Sequence, residues 1–147
     1  MAWRAVVLAA LVAAFAPGPA PASPAVDYVV HCQGCHLADG SATPGRVPAL
    51  AGSVGRLAGV AEGRAYLVRV PGAANAPLSD AALAELLNWV VARFDPEGLP
   101  PDFALYTGEE VSRLRRPPLA DVVSAGRGVV EDLESAAAGA TSRDALQ

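Results

Sequence analysis

The sharpest pattern in this 147-residue chain begins after Ser79, where Leu83, Leu86, Leu87, Val90, Val91 and Phe94 fall at i, i+3, i+4, i+7, i+8 and i+11. Such spacing puts all six side chains on one continuous helical stripe. Ser79 is a favourable N-cap, Asp80 suits the positive end of the helix dipole, and Asp95-Pro96 with Gly98 marks the end. A shorter helix is predicted from Glu62 to Val70, with Tyr66, Leu67 and Val70 on one side, until Pro71-Gly72 stops it. Ser23-Pro24 can open a first helix whose apolar members are Val26, Val29 and Val30. Between these helices, the stretch after Leu37-Ala38-Asp39-Gly40, as far as Gly52, is dense in Gly, Pro, Ser and Thr and reads as a surface-following loop. Downstream, Thr107 and Glu110 have capping-box spacing and open a short helix that ends at Pro117-Pro118, with a further helical stretch from Leu119 to Ser135. No strand pattern and no internal repeat is visible, so the fold class predicted is all-α.

One apolar run has a different meaning. Arg4 supplies a positive start, Ala5 to Phe15 is Ala, Val and Leu, and Ala20-Pro21-Ala22 offers a small-x-small cleavage site before Ser23. Residues 1–22 therefore read as a secretory signal peptide, the apolar run being much shorter than the ~20 residues that a spanning helix needs. No later segment is long and apolar enough to cross a bilayer. The expected organisation is one compact domain at 23–98, a helical extension at 99–137, and an Ala-Gly-Ser-rich tail at 138–147 that reads as disordered.

Charge narrows the partners. The chain carries eleven basic residues, every one of them arginine, against fifteen acids, for a net charge of −4. A mildly acidic chain is a poor match for nucleic acid. The lack of lysine looks like coding bias and carries no mechanism.

The chemistry is concentrated in Cys32-Gln33-Gly34-Cys35-His36. Cys-x-x-Cys-His is the spacing that attaches a c-type haem: each thiol can form a thioether to one vinyl group, and the adjacent histidine is carried under the iron as proximal ligand. These are the only two cysteines. Two other readings use the same residues. A thioredoxin-like dithiol wants a preceding strand and a βαβ context, and a zinc site wants ligands beyond Cys32, Cys35 and His36, for which only His31 remains. No carboxylate pair and no nucleophile with a base can be argued elsewhere, so a catalytic role away from an iron has no candidate residues.

Taken with Pro48-Ala49-Leu50-Ala51-Gly52, Gly63-Arg64-Ala65-Tyr66-Leu67 and Leu78-Ser79-Asp80 in that order, the pentapeptide resembles the monohaem class I cytochrome c family over about residues 24 to 95. The resemblance implies a class I cytochrome c fold, with helices wrapped around one covalent haem c. It implies first and last helices that cross beside the haem, a Pro48 carbonyl that accepts from the proximal histidine, and Leu50 packed on the proximal face. It also shows a departure. The family's distal methionine arises in the loop that is here Pro71-Gly72-Ala73-Ala74-Asn75-Ala76-Pro77-Leu78, and the sole methionine of this chain is Met1. Asn75 is the only side chain of that loop with a donor atom and so the candidate for a weak distal ligand, or else a turn residue before Pro77. His31 directly precedes Cys32, too close to reach the opposite haem face, and Tyr66 suits the core. Arg64 and Arg69 are candidates for neutralising haem propionates, or else solvated side chains. Arg113, Arg115 and Arg116 form a basic cluster that could dock an acidic partner or else is only a solvated face. Trp89 either closes the haem edge or packs under the extension.

Two functional classes follow. One is an exported, periplasmic electron carrier that passes single electrons between redox partners such as a dehydrogenase, an oxidase or another cytochrome. It would itself be no enzyme, and loss of the methionine would lower its potential. The other is a haem protein whose open or weakly ligated iron binds a small gas or peroxide, as a sensor, scavenger or minor haem enzyme.

Overall fold

The computed structural model describes residues 22–43 and 47–144. The expected signal peptide, apart from Ala22, lies outside the described residues. The helices are α1 (Pro24–His31), α2 (Val54–Ala58), α3 (Ala61–Arg69), α4 (Pro71–Ala74), α5 (Asp80–Phe94), a 3-10 turn at Pro96–Gly98, α6 (Gly108–Leu114) and α7 (Val122–Asp144). Among the described residues the only β-type pairing is an isolated bridge between His36 and Ala42. The protein is all-α, and none of its described helices is long and apolar enough to cross a membrane.

α5 organises the core, and the reason is its stripe. Leu83, Leu86, Leu87, Val90, Val91 and Phe94 are all buried, and Ser79 Oγ accepts from the Ala82 amide at 3.1 Å, as expected of the N-cap. α1 packs against one end of this stripe through aromatic rings. The Tyr28 ring centroid lies 5.4 Å from that of Trp89 and 5.0 Å from that of Phe94, and Trp89 and Phe94 meet edge to face. Ser23 caps α1 by accepting from the Val26 amide. The buried face of α1, however, is not the expected one: Val26, Val29 and Val30 are exposed, Val30 at 64 %, whereas Asp27 and Tyr28 are buried. One large aromatic facing two others outweighs three small valines, because it removes far more apolar area from water per residue.

Two short helices lie where the sequence reads no helix. α2 starts where the Asp95 carboxylate accepts from the Gly55 amide at 2.8 Å, a cap supplied from 40 residues away and so invisible in local sequence. At Pro71 the chain leaves α3 but begins α4 at once, since proline is well tolerated in a first helical turn.

The segment expected as an extension, 99–137, is helical but belongs to the same core. Tyr106, Val111 and Val129 are buried in one cluster with Tyr28, Leu67, Leu83 and Val91. Thr107 Oγ1 accepts from the Glu110 amide, as its capping position requires. The Glu110 carboxylate does not return the bond. It is taken by Arg64, at 2.7 Å from both Nε and Nη2. α7 runs to Asp144, through most of the stretch 138–147 expected as disordered; its alanines are strong helix formers, and that outweighs the turn-like glycine and serine. Gly126 of α7 lies directly on the Tyr66 ring, where a side chain would collide with the phenol.

Candidate functional site

The Cys32–His36 segment leaves the C-terminus of α1 as a tight turn. Tyr28 O accepts from both the Cys32 and Gln33 amides, and Cys32 O accepts from the Cys35 and His36 amides. The two thiols and the imidazole are thus held within one turn of backbone. The chain then folds back. The Leu37 amide donates to Ser41 O at 2.7 Å, and Gly40 O accepts from the Leu50 and Ala51 amides, which ties the Pro48–Leu50 stretch to the residues just after His36. Tyr28 clamps the assembly from below, its hydroxyl donating to Leu37 O at 2.7 Å.

The three chemical groups differ in environment. Cys35 is exposed and Cys32 half-buried, and both thiols are free. Burial, reinforced by nearby Asp27, pushes the Cys32 thiol up to about 11. His36 is held below its ordinary pKa by burial, which favours the neutral imidazole that ligates metals. Its Nδ1 is enclosed and has no hydrogen-bond partner.

These details bear on the alternatives. A thiol nucleophile needs its pKa depressed, commonly by a helix N-terminus. Here Cys32 caps a helix C-terminus, the negative end of the dipole, and its thiol is raised. That is the wrong electrostatics for dithiol exchange. Nor do three or more His, Cys, Asp or Glu side chains gather into a metal-binding group among the described residues.

The other expected site residues are dispersed. Leu50 is half-buried and packs against the core. Pro48 is exposed, and the unpartnered His36 Nδ1 makes no bond to its carbonyl. Asn75 is exposed and C-caps α4, its amide donating to Pro71 O at 3.0 Å. Arg64 is bound to Glu110 and to Ala104 O and stacks on the Tyr106 ring at 4.0 Å, while Arg69 Nε donates to Pro117 O. Both arginines are therefore committed to the C-terminal segment. Trp89 lies on Tyr28 and Phe94.

Sequence reasoning missed two residues. Tyr28 stands four positions before Cys32, the spacing that places it one helical turn behind the cysteine. Arg115, in a cluster that reads as solvated, is only 8 % exposed; its position four after the apolar Val111 is the available signal. Around the thiols, from Ala22 to Ala38, the only Asp, Glu or Arg is Asp27, which is buried, while Val26, Val29, Val30 and Leu37 are exposed. A cavity of about 450 Å³ lies elsewhere, between α2 and α7, lined by Leu57, Val60, Leu99, Val130 and Leu133. It includes none of the expected site residues.

Protein-family models contain no match to this chain, and no curated protein is significantly similar to it.

Proposed function

We propose that this chain is an exported monohaem c-type cytochrome that transfers single electrons between redox partners. The observation that carries the reading is the Cys32–His36 turn: two free thiols and a half-buried imidazole with an enclosed Nδ1 on one short, well-anchored segment. The residues fit the group. Cys32 and Cys35 would hold haem c as thioethers, and His36 would ligate the iron. The orphaned Nδ1 of His36 is the atom that would donate to a supporting carbonyl.

Bound there, haem supplies a one-electron ferric/ferrous couple. The rest of the work falls to the chain. Tyr28 fixes the backbone on both sides of His36 and so sets the direction of the imidazole. Leu50 and the α5 stripe supply apolar surface that excludes water. The exposed Cys35 with Val29, Val30 and Leu37 provides accessible apolar surface for a partner such as a dehydrogenase, an oxidase or another cytochrome.

A second reading, an iron open to a gas or peroxide, is favoured by one observation. The 71–78 loop holds no methionine, and its single donor side chain, Asn75, sits exposed at a helix end. The test is the absorption spectrum of protein made in a host with haem-attachment machinery, recorded oxidised, reduced, and reduced with carbon monoxide. A Soret band that stays with the denatured polypeptide supports covalent haem, and its absence overturns the proposal. A low-spin spectrum indifferent to carbon monoxide supports the electron carrier. A high-spin spectrum that shifts supports the open iron.

A further inference from the structure

We propose that the cavity between α2 and α7 is a binding site for a small apolar molecule whose uncharged head both accepts and donates a hydrogen bond, a fatty amide being the simplest of that class. The inference stands apart from the haem reading, because none of the expected haem residues lines this space.

Separate parts of the chain wall the cavity. Leu57 and Val60 line it around the end of α2, Leu99 just after the 3-10 turn, and Val130 and Leu133 from α7. One buried carboxylate ties the first two walls together: Asp95 accepts from the Gly55 amide at 2.8 Å, and a Cβ on Gly98 would run into the same group. α7 is seated by Val129 in the core and by Gly126 on the Tyr66 ring. The recess is therefore framed by the fold itself, and it opens to solvent at Val130, which is 45 % exposed. Its 450 Å³ equals the liquid volume of about fifteen waters and falls in the range of small-molecule sites. Water finds few partners against aliphatic walls, so an apolar molecule that replaces it is favoured.

The polar side chains at the cavity define the head. Ser53 is already spent, its Oγ donating to Ala49 O at 2.7 Å. Arg56 on α2 and Glu134 on α7 remain, and both are exposed. Arg56 Nη2 donates to Gly52 O at 3.1 Å, which leaves its other N–H groups for a ligand. Neither Arg56 nor Glu134 forms an ion pair among the described residues. With a cation on one wall and an anion on another, a head of either charge meets repulsion as well as attraction. A primary amide suits both, since its carbonyl accepts from the guanidinium and its N–H donates to the carboxylate.

The test titrates the full chain with octanamide, octanoate and octylammonium while the valine and leucine methyls are followed by NMR. Shifts should gather on Leu57, Val60, Leu99, Val130 and Leu133, and octanamide should bind roughly ten-fold tighter than hexanamide, which has two fewer methylenes. Octanamide should also bind about three-fold tighter or more than either charged probe. Arg56→Gln should move the preference to octylammonium, and Glu134→Gln should move it to octanoate. Val130→Trp, which fills the recess from an exposed position, should weaken octanamide at least about ten-fold. Val123→Trp, on the same helix but outside the lining, should leave it within about two-fold. No saturation at millimolar probe overturns the inference, as do shifts centred on the exposed valines of α1, equal affinity for the three heads, or binding that survives Val130→Trp. Shifts of the same methyls on concentrating the protein alone would mean that a second copy fills the recess, which overturns it as well.

Discussion

The hydroxyl of Tyr28 donates to the carbonyl of Leu37 at 2.7 Å, so a residue one turn before Cys32 also secures the backbone directly after His36. Tyr28→Phe keeps the ring between Trp89 and Phe94 and removes only this bond. It should cost about 1 kcal/mol, whereas Tyr28→Ala should cost about 3–5 kcal/mol through the cavity it leaves. Denaturant midpoints measure both. Equal losses would mean that the hydrogen bond, and not the aromatic cluster, carries the anchoring.

Gly40 and Gly52 separate two kinds of glycine requirement. Both have positive φ, +79° and +71°, but a Cβ at Gly40 would enter the Phe94 ring, while one at Gly52 meets nothing. Gly52→Ala should therefore cost only backbone strain, about 1–2 kcal/mol. Gly40→Ala should cost about 1–3 kcal/mol more from overpacking. Adding Phe94→Leu should recover part of the excess for Gly40→Ala and nothing for Gly52→Ala.

Most of the helical frame is legible in the sequence because its signals are local. The α5 stripe, the Ser23, Ser79 and Thr107 caps and the Cys32–His36 pentapeptide are each read within about a dozen residues. What escapes is set at long range. Asp95 caps α2 from 40 residues away, and Arg64 and Arg69 answer to Glu110 and Pro117. α1 misleads for a related reason: its valines mark an apolar face, but which face is buried depends on the rings that α5 presents. The basic run at 113–116 looks solvated because charge implies exposure on average, and only the carbonyls of Ala74, Ala76 and Leu78, which accept from its guanidinium, make Arg115 an exception.

Acid should weaken the attachment of α6. The Arg64 fork holds the Glu110 carboxyl below its usual 4.5, and Arg115 holds Asp80 below 3.8. A carboxyl whose folded pKa is depressed contributes stability fully above its unfolded value, and that contribution is lost as pH falls through the folded one. Melting temperature should therefore drop from about pH 4.5 downward. Glu110→Gln should lower stability at pH 7 by about 2 kcal/mol and flatten the upper part of that acid limb. An acid limb identical to the parent's would show that Glu110 does not contribute to it.

Cysteine variants dissect the proposed attachment. In a host that attaches haem, Cys32→Ala and Cys35→Ala should each retain at most one thioether, shifting the reduced α-band to longer wavelength. The double variant should release all haem on denaturation. His36→Ala should abolish the parent spectrum even where thioethers form. Haem retained covalently by the double variant would move the site away from this turn.

The placement of Tyr106, Val111 and Arg115 in the common core has a consequence for the order in which the protein is made. Tyr106 and Arg115 close hydrogen bonds with partners 18 to 41 positions earlier in the chain, so the fold cannot be completed until its last third exists. Some 79 residues separate His36 from Arg115, and at ordinary synthesis rates that interval lasts about 4 to 16 s. During it the cysteines are present on a chain that still lacks its closing segment. A modification that needs open access to Cys32, the half-buried thiol, thus has a window that the topology itself provides, and a chain shortened before Tyr106 would keep that window open permanently.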